Sequence, residues 1–275
     1  MDTSHPRAER PTRQSTGSSQ PGGVQGMSRR RTWTEITIVL MLSLGGSALY
    51  SILQIIDDLS QPTPLGEQST ALNQSTTTVQ YVDLARQLVG IAVDLAPVAL
   101  VCYLLWSTTR PHLSRLGIDR FRVRPDLGGA ALIALCIGVP GLGLYFAGRA
   151  LGFTVAVDPS ALDSYWWTVP VLLLSAVRSG LQEEVIVVGY LYSRLGDLGW
   201  GRWQVILSTA VLRGSYHLYQ GFGAFVGNAV MGIVFGWIYT KWGRLLPLVI
   251  THVLLDAVVF VGYPWVAAAF PELFR

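Results

Sequence analysis

Charged residues are scarce in this chain of 275 residues, because Asp, Glu, Lys and Arg together make up only 13% of it. Soluble domains carry about 25% of these residues, so the composition argues against a soluble protein. Hydrophobic residues account for 51% of the sequence, and several apolar runs are long enough to cross a bilayer. The composition therefore predicts an integral membrane protein.

Cysteine and lysine are also nearly absent. Cys102 and Cys136 both fall within apolar runs, which argues against a disulfide framework and favours small packing residues. Lys241 is the only lysine, and the other basic residues are arginines in the N-terminal tail and near the ends of apolar runs. A net charge of +3 distributed in this way indicates membrane topology and requires no nucleic-acid partner.

Composition divides the chain into four parts. Residues 1–31 are rich in Ser, Thr, Gln, Gly, Pro and Arg, which predicts a disordered cytoplasmic tail. Residues 32–126 are predicted to hold two accessory transmembrane helices and a basic cytoplasmic loop. Residues 127–266 hold the remaining spans, which form the predicted core, and residues 267–275 form a C-terminal tail. The predicted fold is an all-α, polytopic bundle of about seven transmembrane helices.

The loops between the predicted spans alternate in charge. The spans are about Ile36–Ile56, Arg86–Trp106, Leu127–Leu151, Tyr165–Leu195, Trp203–Leu218, Phe222–Thr240 and Leu245–Val266. Arginines crowd the loop after the second span, whereas the loops after the first and third spans contain neither Lys nor Arg. Because positive charge favours the cytoplasmic side, we expect the N-terminus inside and the C-terminus outside, in a bacterial cytoplasmic membrane.

Two adjacent carboxylates, Glu183 and Glu184, lie inside the fourth predicted span. A charged side chain at the bilayer centre costs roughly 2.5 to 3.5 kcal/mol on the mildest insertion scales, and neighbouring carboxylates also repel each other. A membrane helix seldom keeps such a pair without a use, so the pair indicates a functional site. Arg178, earlier on the same helix, is expected to be a partner or to snorkel towards the interface.

Two further spans carry ionisable residues at helical spacing. Arg213 and His217 are four residues apart on the fifth span, and His252 and Asp256 are four apart on the seventh. Each pair therefore shares a helix face. Helical rise from the inner ends places these groups in the inner to middle part of the membrane. His217 comes out further outward, unless the fifth helix starts later.

Carboxylates and imidazoles that converge in a water-accessible cavity suit peptide hydrolysis. A carboxylate takes a proton from water, while histidines polarise the carbonyl group or orient the water. His217, His252 and Glu183 could instead bind a divalent metal such as zinc and leave one position open. The sequence contains no His-Glu-x-x-His, which excludes a zincin arrangement.

Three segments resemble the motifs of a known family of intramembrane endopeptidases. The segments are Glu183-Glu-Val-Ile-Val-Val-Gly-Tyr-Leu191, Tyr216-His-Leu218 and His252-Val-Leu-Leu-Asp256. The family is the CAAX prenyl endopeptidase and bacteriocin-processing family, also called CPBP or Abi. Its pattern is Glu-Glu-x-x-x-Arg, then Phe-x-x-x-His, then His-x-x-x-Asn or Asp. The resemblance covers roughly residues 127–260, with the motifs in order on three predicted membrane helices.

The resemblance implies a role for each motif residue. Glu183 would be the general base that activates water, and Glu184 would support it. His217 and His252 would stabilise the oxyanion or hold water, and Asp256 would take the Asn or Asp position. The implied activity is glutamate-dependent cleavage of a peptide or membrane-protein substrate in the lipid bilayer, which requires no cofactor and leaves metal use open.

Two positions depart from the family pattern. Val188 stands where the motif arginine is expected, and Arg213 stands where the motif phenylalanine is expected. Because Arg213 shares a helix face with His217, it should point towards the site. We therefore predict that Arg213 pairs with Glu184 and replaces the lost guanidinium from the neighbouring helix.

Three functions remain open on the sequence. The first is an intramembrane endopeptidase. The second is a catalytically weak or inactive relative that acts as a membrane chaperone or bacteriocin-immunity protein, which Val188 favours. The third is a proton-coupled transporter, because Glu–His relays also mark ion pathways, although no repeated halves are visible. As a structural alternative, the paired carboxylates could form an ion-pair site with Arg178 or Arg213.

Overall fold

The structure, a computed structural model, describes residues 28–106, 116–118 and 122–269. Its helices are α1 Arg29–Met41, α2 Leu44–Ser60, α3 Gln80–Asp94, α4 Ala96–Leu104, α5 Val123–Ala150, α6 Thr168–Glu183, α7 Leu191–Asp197, α8 Arg202–Tyr216, α9 Phe222–Trp242 and α10 Leu246–Ala269. Two short strands, β1 Ser69–Ala71 and β2 Ala156–Asp158, pair in parallel. A π-helical segment, Glu184–Tyr190, joins α6 directly to α7. The predicted all-α fold class is confirmed.

The described residues contain four helical stretches that are long and apolar enough to cross a membrane. They are Gln80–Leu104, Val123–Ala150, Phe222–Trp242 and Leu246–Tyr263. The pair α1 and α2 adds a fifth if it counts as one bent span. The fourth predicted span is carried by α6, the π segment and α7, and the fifth by α8, which has only 15 residues. The count of seven spans therefore stays a prediction.

The first predicted span is broken in two, with α1 and α2 inclined at 57° to each other. The Ser43 hydroxyl donates to the Val39 carbonyl at 2.6 Å, and glycines follow the break. A Cβ on Gly45 would lie 2.8 Å from the Leu40 carbonyl oxygen, so this close backbone approach requires glycine. Ser and Gly together are a common cause of sharp helix bends.

Some sequence predictions fall mainly on residues outside the described ranges. They concern the disordered tail, most of the basic loop, and the end of the C-terminal tail. Helix α1 already begins at Arg29, before the predicted end of the tail at residue 31. Its N-cap is Ser28, whose hydroxyl accepts from the Arg31 backbone N–H at 3.3 Å. This cap stabilises the start of the helix by satisfying one of its free N–H groups.

The loops predicted to be external gather at one end of the bundle. The strands β1 and β2 come from the loops after the first and third predicted spans. Arg149 donates to the Gly66 carbonyl oxygen and, at 3.1 Å, to the Thr154 carbonyl oxygen. An isolated bridge joins Thr154 to Gly221, where the chain turns between α8 and α9.

The segments predicted to be internal gather at the other end. The Leu245 backbone N–H donates to the Gly117 carbonyl oxygen at 3.1 Å. Arg244 Nη2 donates to Asp126 Oδ2 at 3.1 Å, which ties the start of α10 to the start of α5. The contacts therefore place the loops in two groups at opposite ends of the bundle, as the charge pattern predicts. Which end faces the cytoplasm stays a prediction.

A buried polar cluster fastens α1 to the core at this second end. Arg194 Nε donates to Glu35 Oε1 at 2.7 Å, and the Tyr190 hydroxyl donates to the same oxygen at 3.0 Å. Arg194 Nη2 also donates to the Leu104 carbonyl oxygen at 3.1 Å. The cluster thus connects α1, α4 and the helix that carries the paired carboxylates.

Cysteine labelling tests the predicted sidedness. In a background without Cys102 and Cys136, a cysteine at exposed Thr78 should react with an impermeant maleimide added to intact cells. A cysteine at exposed Lys241 should react only after the cells are permeabilised, because basic residues favour the cytoplasmic side. The reverse pattern would overturn the topology.

Candidate active site

The two predicted carboxylates lie where the α-helix changes to a π-helix. Glu183 is the last residue of α6, and Glu184 is the first residue of the π segment. Adjacent helical side chains point about 100° apart. The Glu183 side chain keeps 10% of its surface exposed, whereas Glu184 has none. The two carboxylates therefore have different environments, one at the edge of the bundle interior and one inside it.

Glu184 is held by two cationic or hydrogen-donating groups. Arg213 Nη2 donates to Glu184 Oε1 at 2.5 Å, and His252 Nδ1 contacts the same oxygen at 2.7 Å. The side chains of Glu184 and Arg213 are completely buried. The guanidinium carbon of Arg213 also lies 5.4 Å from the ring centroid of Phe235. The predicted pairing of Arg213 with Glu184 is confirmed.

Glycines allow close packing in two helix pairs that contain site residues, α6 with α10 and α8 with α9. A Cβ on Gly180 of α6 would lie 2.7 Å from Val253 Cγ2 of α10. A Cβ on Gly214 of α8 would lie 2.8 Å from the Phe225 carbonyl oxygen of α9. A Cβ on Gly232 would lie 3.0 Å from Ala210 Cα across the same helix pair. Small residues of this kind allow membrane helices to approach closely, and here they bring α10 against α6 and α9 against α8.

Glu183 faces a second set of polar groups. The Tyr216 hydroxyl donates to Glu183 Oε2 at 2.7 Å. His252 Nε2 lies 4.0 Å from Glu183 Oε1 and 3.7 Å from Asp256 Oδ2. Both separations exceed a direct hydrogen bond. His252 thus stands between the two glutamates, with Nδ1 on Glu184 and Nε2 towards Glu183 and Asp256.

His217 lies at the C-terminal end of α8, beside the other site residues. Its Nδ1 is 3.1 Å from the Arg213 carbonyl oxygen, and its ring centroid is 4.8 Å from that of Tyr216. Because a carbonyl oxygen only accepts, Nδ1 must carry the proton of this contact. The Tyr216 hydroxyl, at the end of α8, donates to Glu183 Oε2, so this end of α8 lies level with Glu183. The sequence predicted that His217 lies further outward than the other site residues. The structure instead places it level with them.

Arg178 binds a carboxylate outside the glutamate pair. Its Nη1 lies 3.3 Å from Asp94 Oδ2 of α3, with 24% and 48% of the two side chains exposed. In the described part of the chain, no hydrogen bond joins Arg178 to Glu183 or Glu184. The expectation that Arg178 partners these carboxylates is replaced by an ion pair between α6 and α3. No spacing in the sequence connects the two helices.

The geometry does not fit the metal alternative. Among the residues that the structure describes, no group of three or more His, Cys, Asp and Glu side chains could hold a metal ion. The predicted ligands His217, His252 and Glu183 therefore do not form a ligand set.

The sequence interpretation assigned no role to Tyr216. The residue is buried and contacts Glu183, yet the family pattern treats this position as variable. The sequence did offer one indication of this contact, a phenol directly before the motif histidine. Adjacent residues at a helix end can both reach a facing helix. The contact itself depends on how α8 packs beside α6, which sequence spacing does not specify.

Residues 165–258 match the family model described as Type II CAAX prenyl endopeptidase Rce1-like. No curated protein and no solved structure matched the chain. The matched region contains Glu183, Glu184, His217, His252 and Asp256, and its carboxylates and imidazoles meet between α6, α8 and α10. The match is to a family model over part of the chain, and it agrees with the resemblance carried by the three motifs in the sequence.

Proposed function

We propose that the protein is an intramembrane endopeptidase in which Glu183 activates the hydrolytic water. The observation that carries the proposal is the different placement of the two carboxylates. Glu184 is completely buried and bound by Arg213 and His252, whereas the Glu183 side chain keeps 10% of its surface exposed and faces His252 Nε2. A base must reach a water molecule and the substrate, so Glu183 is the carboxylate suited to that role.

The separations around His252 Nε2 suit one bridging water. A water within hydrogen-bond distance of both Glu183 Oε1 and His252 Nε2 would span their 4.0 Å separation. Glu183 takes a proton from this water while the oxygen of the water attacks the carbonyl carbon of the peptide bond. The carbon–nitrogen bond then breaks, and the proton on Glu183 passes to the leaving amine.

The two histidines have different groups behind them, which suggests different roles. His252 Nδ1 contacts the carboxylate of Glu184, an arrangement that orients an imidazole and stabilises its positively charged form. His252 Nε2–H can then donate to the oxyanion that develops during attack. His217 is held by a neutral carbonyl, so its neutral ring presents Nε2 as an acceptor that can orient water or substrate N–H groups.

The alternative of an inactive chaperone or immunity protein was favoured by Val188. Arg213 supplies a guanidinium to Glu184 from α8, so the absence of the motif arginine does not leave this carboxylate unpaired. The loss of one motif residue therefore no longer favours inactivity. The endopeptidase remains the function that the arrangement of carboxylates and imidazoles supports best.

Mutation of the histidines tests whether they serve one site. His217→Ala and His252→Ala should each lower kcat/KM by roughly 100-fold or more, and the double variant should be little worse than either single variant. The effects of mutating groups that act as one unit are not additive in free energy. The loss of kcat/KM in the double variant should therefore be smaller than the product of the two single losses. His112→Ala, outside the matched region, is the control. Fully multiplicative losses would show that the two imidazoles act separately.

Cleavage of a peptide library by detergent-purified protein tests the proposed activity. The library should contain peptides with and without a prenylated cysteine near the C-terminus, since the matched family is named for prenyl endopeptidases. Mass spectrometry identifies the new termini and the scissile bond. Cleavage by the wild type that Glu183→Gln lacks supports the proposal, whereas equal products from both proteins would point to a contaminating protease.

A further inference from the structure

The hydroxyl of Tyr216 divides the two oxygens of Glu183 between different tasks. It donates to Oε2 at 2.7 Å, and it comes from α8, the helix that ends at this residue. The other oxygen, Oε1, is the one that faces His252 Nε2 at 4.0 Å. Tyr216 is only 6% exposed, so its hydroxyl has little access to solvent as an alternative partner.

This contact matters because Glu183 stands next to groups that already bind Glu184. Arg213 and His252 both contact Glu184 Oε1, and His252 also faces Glu183. A carboxylate free to turn could seek these cationic groups instead of the substrate. A fixed hydroxyl on Oε2 prevents this rotation, since a hydrogen bond to an ionised group is shorter and stronger than one between neutral groups.

We propose that Tyr216 is a positioning residue that holds Oε2 of Glu183 and so makes Oε1 the oxygen that takes the proton from water. The proposal rests on the proposed endopeptidase function. Tyr216 acts through Glu183 and need not touch the substrate. The position before the motif histidine has no fixed identity in the family pattern, so the pattern alone does not assign this role.

Tyr190 provides a matched control for the phenol. It is completely buried, and its hydroxyl also donates to a carboxylate, Glu35 Oε1, at 3.0 Å. That contact lies in the polar cluster that fastens α1 and not in the site. Tyr190→Phe therefore removes a hydroxyl of similar burial and chemistry without touching Glu183.

The kinetic test compares Tyr216→Phe with Tyr190→Phe in purified protein. The free energy of a hydrogen bond to a charged group corresponds to about a 10- to 100-fold change in rate. The kcat of Tyr216→Phe should therefore fall by that factor. KM should change by less than about threefold, because the substrate loses no contact. Tyr190→Phe should retain kcat within about twofold. Equal losses in the two variants would overturn the positioning role.

An infrared measurement tests the contact without any need for turnover. The carboxylate stretching band of Glu183 is identified by its loss in Glu183→Gln. It should shift in Tyr216→Phe and stay in place in Tyr190→Phe. An unshifted band in Tyr216→Phe would disprove the contact, and a shifted band with unchanged kcat would disprove the positioning role. If the band shifts in Tyr216→Phe but the wild type cleaves no peptide, the contact stands, whereas the proposed function and the positioning role that rests on it are overturned.

Discussion

Replacing Glu183 with glutamine is expected to abolish peptide cleavage while the protein stays folded and inserted in the membrane. Glutamine keeps the size of the side chain and can still accept from Tyr216, but its amide cannot take a proton from water. Loss of the general base should lower kcat/KM by at least about 100-fold. Kinetics on detergent-purified protein, with a thermal melt of the same sample, measures activity and folding together.

Asp94→Asn is the matched control for this experiment. Asp94 is another carboxylate in a membrane helix, it pairs with Arg178, and it lies outside the glutamate pair. Its amide variant should retain most of the activity, because Asp94 pairs with Arg178 and makes no contact with Glu183 or Glu184 in the described part of the chain. Undiminished cleavage by Glu183→Gln would show that Glu183 is not the base.

Replacing Arg213 with leucine is expected to damage the fold itself. The change leaves Glu184 completely buried without its guanidinium, and breaking a buried ion pair by removing one partner costs about 3 to 5 kcal/mol. It also leaves His252 bound to a carboxylate that has lost its second donor. A lower melting temperature, a lower yield of folded protein and loss of cleavage should appear together.

Adding Val188→Arg to this variant should restore part of both stability and activity. Val188 occupies the place of the family arginine, four residues after Glu184 in the π segment. A π-helix needs more than four residues per turn, so this position projects close to the face of Glu184. Recovery should be partial, because Val188 is buried in the core and a larger side chain must be accommodated there.

Arg178→Leu serves as the control for the loss of a membrane arginine. Arg178 pairs with Asp94, whereas Arg213 donates to Glu184, so Arg178→Leu takes no donor from the site and should lower cleavage much less than Arg213→Leu. An Arg213→Leu variant that matches the wild type in stability and cleavage would contradict the exchange of guanidinium groups between α6 and α8.

The residues of the site were largely predictable from sequence because few explanations exist for charges in apolar helices. Glu183, Glu184, His252 and Asp256 were identified by their position in predicted spans and by spacing on a helix face. The pairing of Arg213 with Glu184 followed from the same physics, since a buried carboxylate needs a partner at its own depth. Their catalytic roles remain predictions.

Other features depend on tertiary placement that spacing does not encode. The π segment changes the backbone hydrogen-bond register without any Pro or special residue at its start. The pair of Arg178 with Asp94 and the contact of Tyr216 with Glu183 join helices distant in sequence. The break between α1 and α2 was missed because the hydropathy there is continuous, although Ser43 and Gly45 were visible.

The most direct test of the central claim is peptide cleavage in water enriched in ¹⁸O, followed by mass spectrometry of both fragments. If Glu183 activates water for attack on the peptide carbonyl, each new C-terminal carboxyl group should gain one ¹⁸O atom during cleavage, and Glu183→Gln should give no product. Cleavage without ¹⁸O in the new carboxyl group, or labelled product from Glu183→Gln at the wild-type rate, would contradict hydrolysis by a glutamate-activated water.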